Sequence, residues 1–165
     1  MSEKGSYVAD LRGTLEAGGK RFALVVSRFN GGITEELLLG ARECLLQHGA
    51  GADDLELFRV PGAWELPQAA AAAARAGRFD AVIALGCVIR GETPHFEYLA
   101  AETARGLGAV ARETGVAVSF GVLTTETEVQ ARRRADRGRG NKGAEAALAA
   151  LELLHVLKRI ESPDS

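Results

Sequence analysis

The chain has 165 residues and a formal net charge of −2 at pH 7, with 47% apolar residues but only 5% aromatic ones. That length fits one domain, and the apolar content supports a buried core, which excludes an intrinsically disordered chain. The near-neutral charge and the absence of a long apolar stretch argue against nucleic-acid or membrane partners. The two cysteines and three histidines are scattered, so we expect no disulfide framework, no metal site and a cytoplasmic location.

Four short runs rich in apolar and β-branched residues predict β-strands: Phe22–Ser27, Leu55–Val60, Ala81–Val88 and Val116–Leu123. The last two are almost continuously apolar, as is typical of strands that are covered on both faces. A further strand is predicted within Tyr7–Leu15, either at the edge of the sheet or paired with a neighbouring subunit.

Five helical patterns follow or alternate with these strands: Thr34–His48, Glu65–Ala76, Thr93–Thr114, Glu126–Arg137 and Lys142–Ile160. The order predicts a parallel four-stranded sheet with right-handed crossovers and helices on both faces, which is a three-layer α/β/α sandwich. We interpret residues 1–165 as a single domain, and we expect residues 1–10 and 161–165 to be flexible.

Aromatic residues are concentrated in the loops that follow the predicted strands. Ligands of open parallel sheets bind outside the carboxyl ends of the strands, where Phe29 and Trp64 lie on turns that contain Gly, Pro or Asn. Because such loops run along the surface, we expect both rings to be exposed and able to stack on a planar heterocycle. Phe120 lies within a predicted strand, where core packing is the favoured interpretation.

The segment Gly91–His95 predicts the start of a helix, with Thr93 as the capping residue and Pro94 at the first helical position. The free N–H groups of such a terminus suit a phosphate, although an ordinary loop and cap explains the same residues equally well. The helix dipole disfavours a charged imidazole at His95, which suits proton transfer; a capping or partly buried histidine is the alternative.

A run of arginines is the one local departure from near-neutral charge. A single arginine near the end of the fourth helical pattern could clamp a phosphate through two parallel hydrogen bonds, with Lys142 assisting it. A solvated helix face is the alternative interpretation, since interleaved aromatic residues that would indicate nucleic-acid binding are lacking.

Four motifs resemble the 6,7-dimethyl-8-ribityllumazine synthase family: Ser27–Asn30 (SRFN), Val60–Glu65 (VPGAWE), Ile89–Tyr98 (IRGETPHFEY) and Gly140–Gly143 (GNKG). The similarity extends in order from about Leu11 to Ile160. It implies a flavodoxin-like fold and a transferase that needs no metal or cofactor. The implied reaction condenses 5-amino-6-(D-ribitylamino)uracil with 3,4-dihydroxy-2-butanone 4-phosphate, releasing phosphate and water, in the penultimate step of riboflavin biosynthesis.

The resemblance also implies roles for individual positions. Phe29 would stack on the pyrimidine, and six further positions would contact that ring or its ribityl chain: Ala63, Trp64, Glu65, Cys87, Val88 and Ile89. The phosphate would be held by the N–H groups of Glu92 and Thr93 together with the Arg134 side chain, and Lys142 would be a further substrate-binding residue. His95 would be the proton donor, so that His95 and Arg134 are the catalytic residues, and Phe120 would close the site from an adjacent subunit.

The family forms pentamers, often assembled into hollow icosahedral shells, so the resemblance implies a homo-oligomer. The stretch Asp136–Arg139 departs from the Gly-Thr-Lys-like pattern that is common there, which leaves pentamer, decamer and shell open, with riboflavin synthase as a candidate partner. A non-catalytic lumazine- or flavin-binding relative is an alternative that the presence of His95, Arg134 and Lys142 argues against. A phosphate-responsive signalling domain is disfavoured because the strand ends lack an acidic cluster.

Overall fold

The computed structural model describes residues 10–163 of the chain. Four strands form one parallel sheet: β1 (Phe22–Ser27), β2 (Leu55–Val60), β3 (Ala81–Ile89) and β4 (Ala117–Thr125). Each lies where the apolar runs predicted it, except that β3 ends one residue later and β4 begins one residue later and ends two residues later. The buried patterns of β1 and β3 agree with their central positions, because strands covered on both faces carry apolar side chains at nearly every residue.

The order of the strands across the sheet is β2-β1-β3-β4. The chain therefore leaves β1 toward β2 on one side and returns to β3 on the other side. A reversal of this kind opens a crevice between the two central strands at their carboxyl ends, where ligands of open α/β sheets bind. The fold thus places its switch point between β1 and β3.

Five α-helices cover the sheet: α1 (Gly31–Gln47), α2 (Leu66–Arg75), α3 (His95–Thr114), α4 (Glu128–Ala135) and α5 (Lys142–Glu161). Single 3₁₀ turns precede β2 and α2, at Ala52–Asp54 and Ala63–Glu65. Side chains of α1, α4 and α5 pack in the core on one face of the sheet, and those of α2 and α3 pack in the core on the other. The predicted three-layer α/β/α architecture is therefore confirmed.

Two predicted helix starts are wrong. Helix α1 begins at Gly31 rather than at Thr34, because Asn30 takes a left-handed conformation with φ of 58° and turns the chain directly into the helix. Thr34 is consequently a buried residue inside α1. Helix α3 begins at His95, with Pro94 rather than Thr93 in the capping position and no side-chain cap.

The other helix ends differ less from the prediction. Helix α4 is shorter than expected because the Thr127 hydroxyl accepts a hydrogen bond from the Gln130 N–H and so fixes the start of the helix. The predicted second helix, Glu65–Ala76, is one residue shorter at each end, because Glu65 is the last residue of the 3₁₀ turn and α2 ends at Arg75; Pro67 lies in its first turn.

Helices α1 and α5 approach each other closely on one face of the sheet. A Cβ atom added to Gly143 would overlap the Leu37 carbonyl, and one added to Gly40 would overlap the Asn141 side chain. Asn141 caps α5 by accepting from the Ala144 N–H at 2.9 Å, and its amide donates to the Glu36 carbonyl at 2.8 Å and to the Ala135 carbonyl at 2.6 Å. This contact fixes the start of α5, next to Lys142.

The first three residues of the predicted N-terminal strand, Tyr7–Leu15, lie outside the described residues, since residues 1–9 and 164–165 are not described. Residues 10–15 are not part of a strand in the described chain, and their pairing with a neighbouring subunit stays a prediction. None of the helices within residues 10–163 combines the length and apolar character that crossing a bilayer requires.

Candidate active site

A cavity of about 620 Å³ opens at the carboxyl ends of β1, β2 and β3, at the switch point of the sheet. Its walls come from the loops that leave these strands and from the first turns of α3. The structure brings together nine of the residues singled out from the sequence: Phe29, Ala63, Trp64, Glu65, Cys87, Val88, Ile89, Thr93 and His95.

Two aromatic rings stand at this cavity with little packing around them. The side chains of Phe29 and Trp64 are 70% and 63% exposed, so neither belongs to the core, as the sequence predicted. The backbone beneath Phe29 is nevertheless fixed, because its N–H donates to the Pro61 carbonyl at 3.0 Å and the Arg28 N–H donates to the Val60 carbonyl at 2.8 Å. A rigid backbone carrying an exposed ring is suited to stacking on a planar ligand.

The turn Ala63–Glu65 is held from both sides. The Glu65 carboxylate accepts a hydrogen bond from the Gly62 N–H at 2.9 Å, and the buried Thr103 hydroxyl of α3 donates to the Ala63 carbonyl at 3.2 Å. One oxygen of Glu65 is therefore engaged within the chain, while the residue remains half-buried at the cavity wall.

The end of β3 forms the floor of the cavity. Cys87 and Val88 are buried there, and the Cys87 carbonyl accepts a hydrogen bond from the Asn30 side-chain amide at 2.9 Å. Burial, with a smaller contribution from the negative charge of Glu128, raises the pKa of the Cys87 thiol to about 11. The thiol is thus protonated near neutral pH, which disfavours it as a nucleophile because the thiolate is the reactive form.

The N-terminus of α3 faces the cavity with Thr93 and His95, both exposed. Among residues 10–163, no side chain or carbonyl is hydrogen-bonded to the His95 imidazole, which leaves both ring nitrogens accessible for proton transfer. Glu92, which was expected to contact the phosphate through its N–H, is exposed and does not line either of the two cavities described in this subsection.

Arg90 connects the two ends of the loop before α3. Its guanidinium is paired with Glu97 of α3 and, at 2.7 Å, with Glu126 beyond β4, and it lies over the Phe96 ring. The hydrogen bond to Glu97, together with that to Glu126, raises the pKa of Arg90 above its usual value. These contacts span Gly91–Pro94 and restrain the loop that carries Thr93.

The remaining predicted residues line a second cavity, of about 570 Å³, between β4 and α5. They are Phe120, Arg134 and Lys142, none of which lines the first cavity. Phe120 is 47% exposed because β4 is an edge strand, so the interpretation as plain core packing is wrong. Within one chain, the structure therefore does not bring Arg134 to the cavity of Thr93 and His95.

The family of the chain follows from comparison with known proteins. The sequence profile of 6,7-dimethyl-8-ribityllumazine synthase matches residues 19–158, a range that includes both cavities. The chain belongs to the 6,7-dimethyl-8-ribityllumazine synthase family. The lumazine synthase of Chlorobaculum parvum is 49% identical over 153 residues, which cover 93% of this chain and 98% of that protein. The lumazine synthase of Chlorobaculum tepidum is 48% identical over 153 residues, covering 93% and 99%.

Three residues in or beside the first cavity were not identified from the sequence as contributors to it. Tyr98 lines the first cavity and is 71% exposed; its spacing of three from His95 on one helix face could have indicated it. Asn30 and Thr103 act through hydrogen bonds to backbone carbonyls distant in the chain, and no local pattern signals such contacts.

Proposed function

We propose that this chain catalyses the condensation of 5-amino-6-(D-ribitylamino)uracil with 3,4-dihydroxy-2-butanone 4-phosphate to 6,7-dimethyl-8-ribityllumazine, with release of phosphate and water. Membership of the lumazine synthase family over most of the chain carries the proposal. The cavity at the switch point supports it, because it combines exposed rings, accessible backbone and a free imidazole. We further propose that the enzyme is cytoplasmic and uses neither a metal nor a cofactor.

In this proposal the pyrimidine binds in the first cavity. Its ring stacks on Phe29, while backbone groups of Cys87, Val88 and Ile89 form hydrogen bonds with the polar atoms at its edge. The ribityl chain lies along the turn Ala63–Glu65, where Trp64 supplies an exposed surface and the free oxygen of Glu65 accepts hydroxyl hydrogen bonds. Holding the two reactants in register is the main task of the protein, since positioning alone removes much of the barrier to a reaction between two molecules.

The substrate itself supplies the nucleophile. The 5-amino nitrogen attacks the ketone carbonyl and water leaves to form an imine, so no activated side chain is required. The protonated Cys87 thiol agrees with this chemistry. His95 stands at the cavity to move protons between the amine, the carbonyl oxygen and the departing groups.

The phosphate is proposed to bind at the N-terminus of α3, where the N–H groups of Glu92 and Thr93 provide donors and the helix dipole favours an anion. Arg134 would add a bidentate contact, which is geometrically suited to a phosphate. Because Arg134 lines the second cavity, this assignment requires that Arg134 of one subunit approach Thr93 of another.

We therefore propose a homo-oligomer in which each active site is completed by two subunits. One subunit contributes the first cavity, and its neighbour contributes Phe120, Arg134 and Lys142 from the second cavity. A cyclic pentamer is the assembly that the family resemblance favours, with an icosahedral shell and riboflavin synthase as a partner remaining parts of this proposal. Sedimentation and light scattering of the purified protein test the assembly: a monomer would contradict the shared site.

Mixed oligomers test the shared site itself. We propose co-expressing a Phe29→Ala chain with an Arg134→Ala chain and assaying at low substrate concentration. If each site forms between two chains, about one quarter of the sites in a random mixture have both native residues. Half of the subunits carry an intact Phe29, half carry an intact Arg134, and a native site needs one of each in the right places. If both half-sites belong to one chain, every site keeps a defect and mixing restores no activity.

The reaction is tested by supplying both substrates to the purified protein and following the absorbance of the lumazine. We expect an initial rate proportional to the protein concentration and above the spontaneous rate. A protein that binds the lumazine but does not accelerate its formation would instead be a non-catalytic member of the family.

A further inference from the structure

The two central strands separate at the floor of the proposed pyrimidine site. The β1–β3 ladder ends at the pair Val26 and Leu85, and beyond it the backbone of Arg28 and Phe29 donates its hydrogen bonds toward β2 instead. Cys87 lies two residues beyond Leu85, the last position of β3 that pairs with β1, although it still pairs with β4. Strand pairing therefore does not connect the Phe29 wall of the crevice to the Cys87 wall.

A side chain makes this connection. The Asn30 amide donates to the Cys87 carbonyl at 2.9 Å across the crevice, between residues 57 positions apart in the sequence. The neighbouring Ser27 hydroxyl is buried and has no hydrogen-bond partner among the described residues, so it does not serve as the bridge. Asn30 thus supplies the donor that β1 no longer offers to β3.

The conformation of Asn30 adds a second constraint. With φ of 58° and ψ of 44°, it is the one non-glycine residue of positive φ within residues 10–163. Asparagine tolerates the left-handed region better than most residues, because its short polar side chain forms local hydrogen bonds. The same residue therefore turns the chain from Phe29 into α1 and holds the Cys87 carbonyl opposite it.

We infer that Asn30 is a positioning residue for the pyrimidine half of the site. It fixes the spacing between the Phe29 ring and the Cys87 backbone, which are the two surfaces proposed to hold the pyrimidine. The inference rests on the proposed function, and it assigns no chemical step to Asn30. Loss of the amide removes the restraint on the Cys87 carbonyl and so weakens pyrimidine binding, while the phosphate site at the start of α3 is unaffected.

Three variants separate the hydrogen bond from the backbone conformation. Asn30→Gly removes the amide but retains access to positive φ, because glycine adopts this region at no steric cost. Asn30→Asp retains the shape of the side chain but replaces the donor with an acceptor that faces the carbonyl. Asn30→Ala removes the amide and disfavours the conformation as well.

The measurements are the KM for each substrate, kcat, the melting temperature, and the Kd of 6,7-dimethyl-8-ribityllumazine by calorimetry. For Asn30→Gly and Asn30→Asp we expect the pyrimidine KM and the lumazine Kd to rise by about three- to tenfold, the size of one lost hydrogen bond. The KM for the butanone phosphate should stay within about twofold of wild type, and only Asn30→Ala should show an additional fall in melting temperature.

The inference would be overturned if Asn30→Gly and Asn30→Asp bound the lumazine as tightly as the wild-type protein does. Equal increases in the KM of both substrates would also overturn it, because they would indicate a general structural role. A wild-type protein that binds the lumazine without forming it would refute the proposed function alone, since the Kd series needs no turnover. A wild-type protein with no lumazine affinity would overturn both.

Discussion

Arg134 and Lys142 line the same cavity, but only Lys142 is neutralised by a carboxylate of the chain. The Lys142 ammonium lies 2.7 Å from the Glu145 carboxylate, whereas the Arg134 guanidinium donates to the Gln130 carbonyl at 3.2 Å and has no acidic partner within residues 10–163. Arg134 is thus free to bind an anion without first losing an ion pair. The two basic residues should consequently contribute unequally to a phosphate site.

Arg134→Ala should raise the KM for the butanone phosphate and leave the KM for the pyrimidine nearly unchanged. A lost charge-assisted hydrogen bond costs about 1.5–3 kcal/mol, which corresponds to an increase of about ten- to a hundredfold. Steady-state kinetics with each substrate varied in turn measures both constants. Arg133→Ala, an adjacent exposed arginine that does not line either cavity, is the matched control. Equal behaviour of the two variants would remove Arg134 from the phosphate site.

His95→Ala should lower kcat with little change in either KM. General acid–base catalysis contributes about 10²–10⁴-fold, and we expect an effect near the lower end because the imine chemistry also proceeds without a catalyst. His155→Ala is the control, since His155 is hydrogen-bonded to the Glu16 carbonyl and does not line either cavity. An unchanged kcat in His95→Ala would exclude the proposed proton transfer.

Phe29→Ala should weaken pyrimidine binding without lowering stability. The ring is 70% exposed, so its removal leaves no cavity, while lost stacking on a planar base costs about 1–3 kcal/mol. Calorimetric titration with the lumazine and a thermal melt measure the two quantities. Phe29→Tyr should restore the affinity because it keeps the stacking surface. An Ala variant with undiminished affinity would contradict the stacking role.

Asn141→Ala should lower the free energy of unfolding by about 2–3 kcal/mol, because it removes the cap of α5 and leaves the buried Ala135 carbonyl and the partly buried Glu36 carbonyl without their donor. Asn141→Asp keeps the capping acceptor for the Ala144 N–H and should have an intermediate effect. Urea unfolding provides the comparison, and two variants as stable as wild type would show that this contact does not fix α5.

The buried Cys87 thiol should make stability depend on alkaline pH. A cysteine in the unfolded chain loses its proton near pH 8.5, whereas burial keeps the folded thiol protonated until about pH 11. The contribution of the protonated thiol to the free energy of unfolding is therefore fully present below about pH 8.5. It is lost as the pH rises toward 11, because the unfolded state then binds fewer protons than the folded one. Cys87→Ala should show a smaller loss of unfolding free energy between pH 8 and 10.5 (about the range in which the two thiols differ). Identical losses in both proteins would contradict the raised pKa.

The positions of the strands could be predicted because each is a short apolar run between turn residues. The exposure of Phe29 and Trp64 was also predictable, since both follow strand ends on loops that run along the surface. The start of α1 was missed because it is set by the left-handed conformation of Asn30, and the hydrogen-bond partner of this side chain, the Cys87 carbonyl, lies far away in the sequence.

The exposure of Phe120 could not be inferred from its own segment. The run around Phe120 is apolar, and only the order β2-β1-β3-β4 shows that this strand lies at an edge. For the same reason, the sequence motifs gave no sign that Arg134 and His95 line different cavities, because motif spacing does not state which face of the fold a residue reaches.

The most direct test of the central claim is the stoichiometry of the reaction. Purified protein is mixed with 5-amino-6-(D-ribitylamino)uracil and 3,4-dihydroxy-2-butanone 4-phosphate, and the lumazine absorbance and the released inorganic phosphate are recorded together. We predict that both appear at the same rate, one phosphate for each lumazine, above the spontaneous rate and in proportion to the protein. Formation of lumazine at the spontaneous rate by a folded oligomer would contradict the assignment.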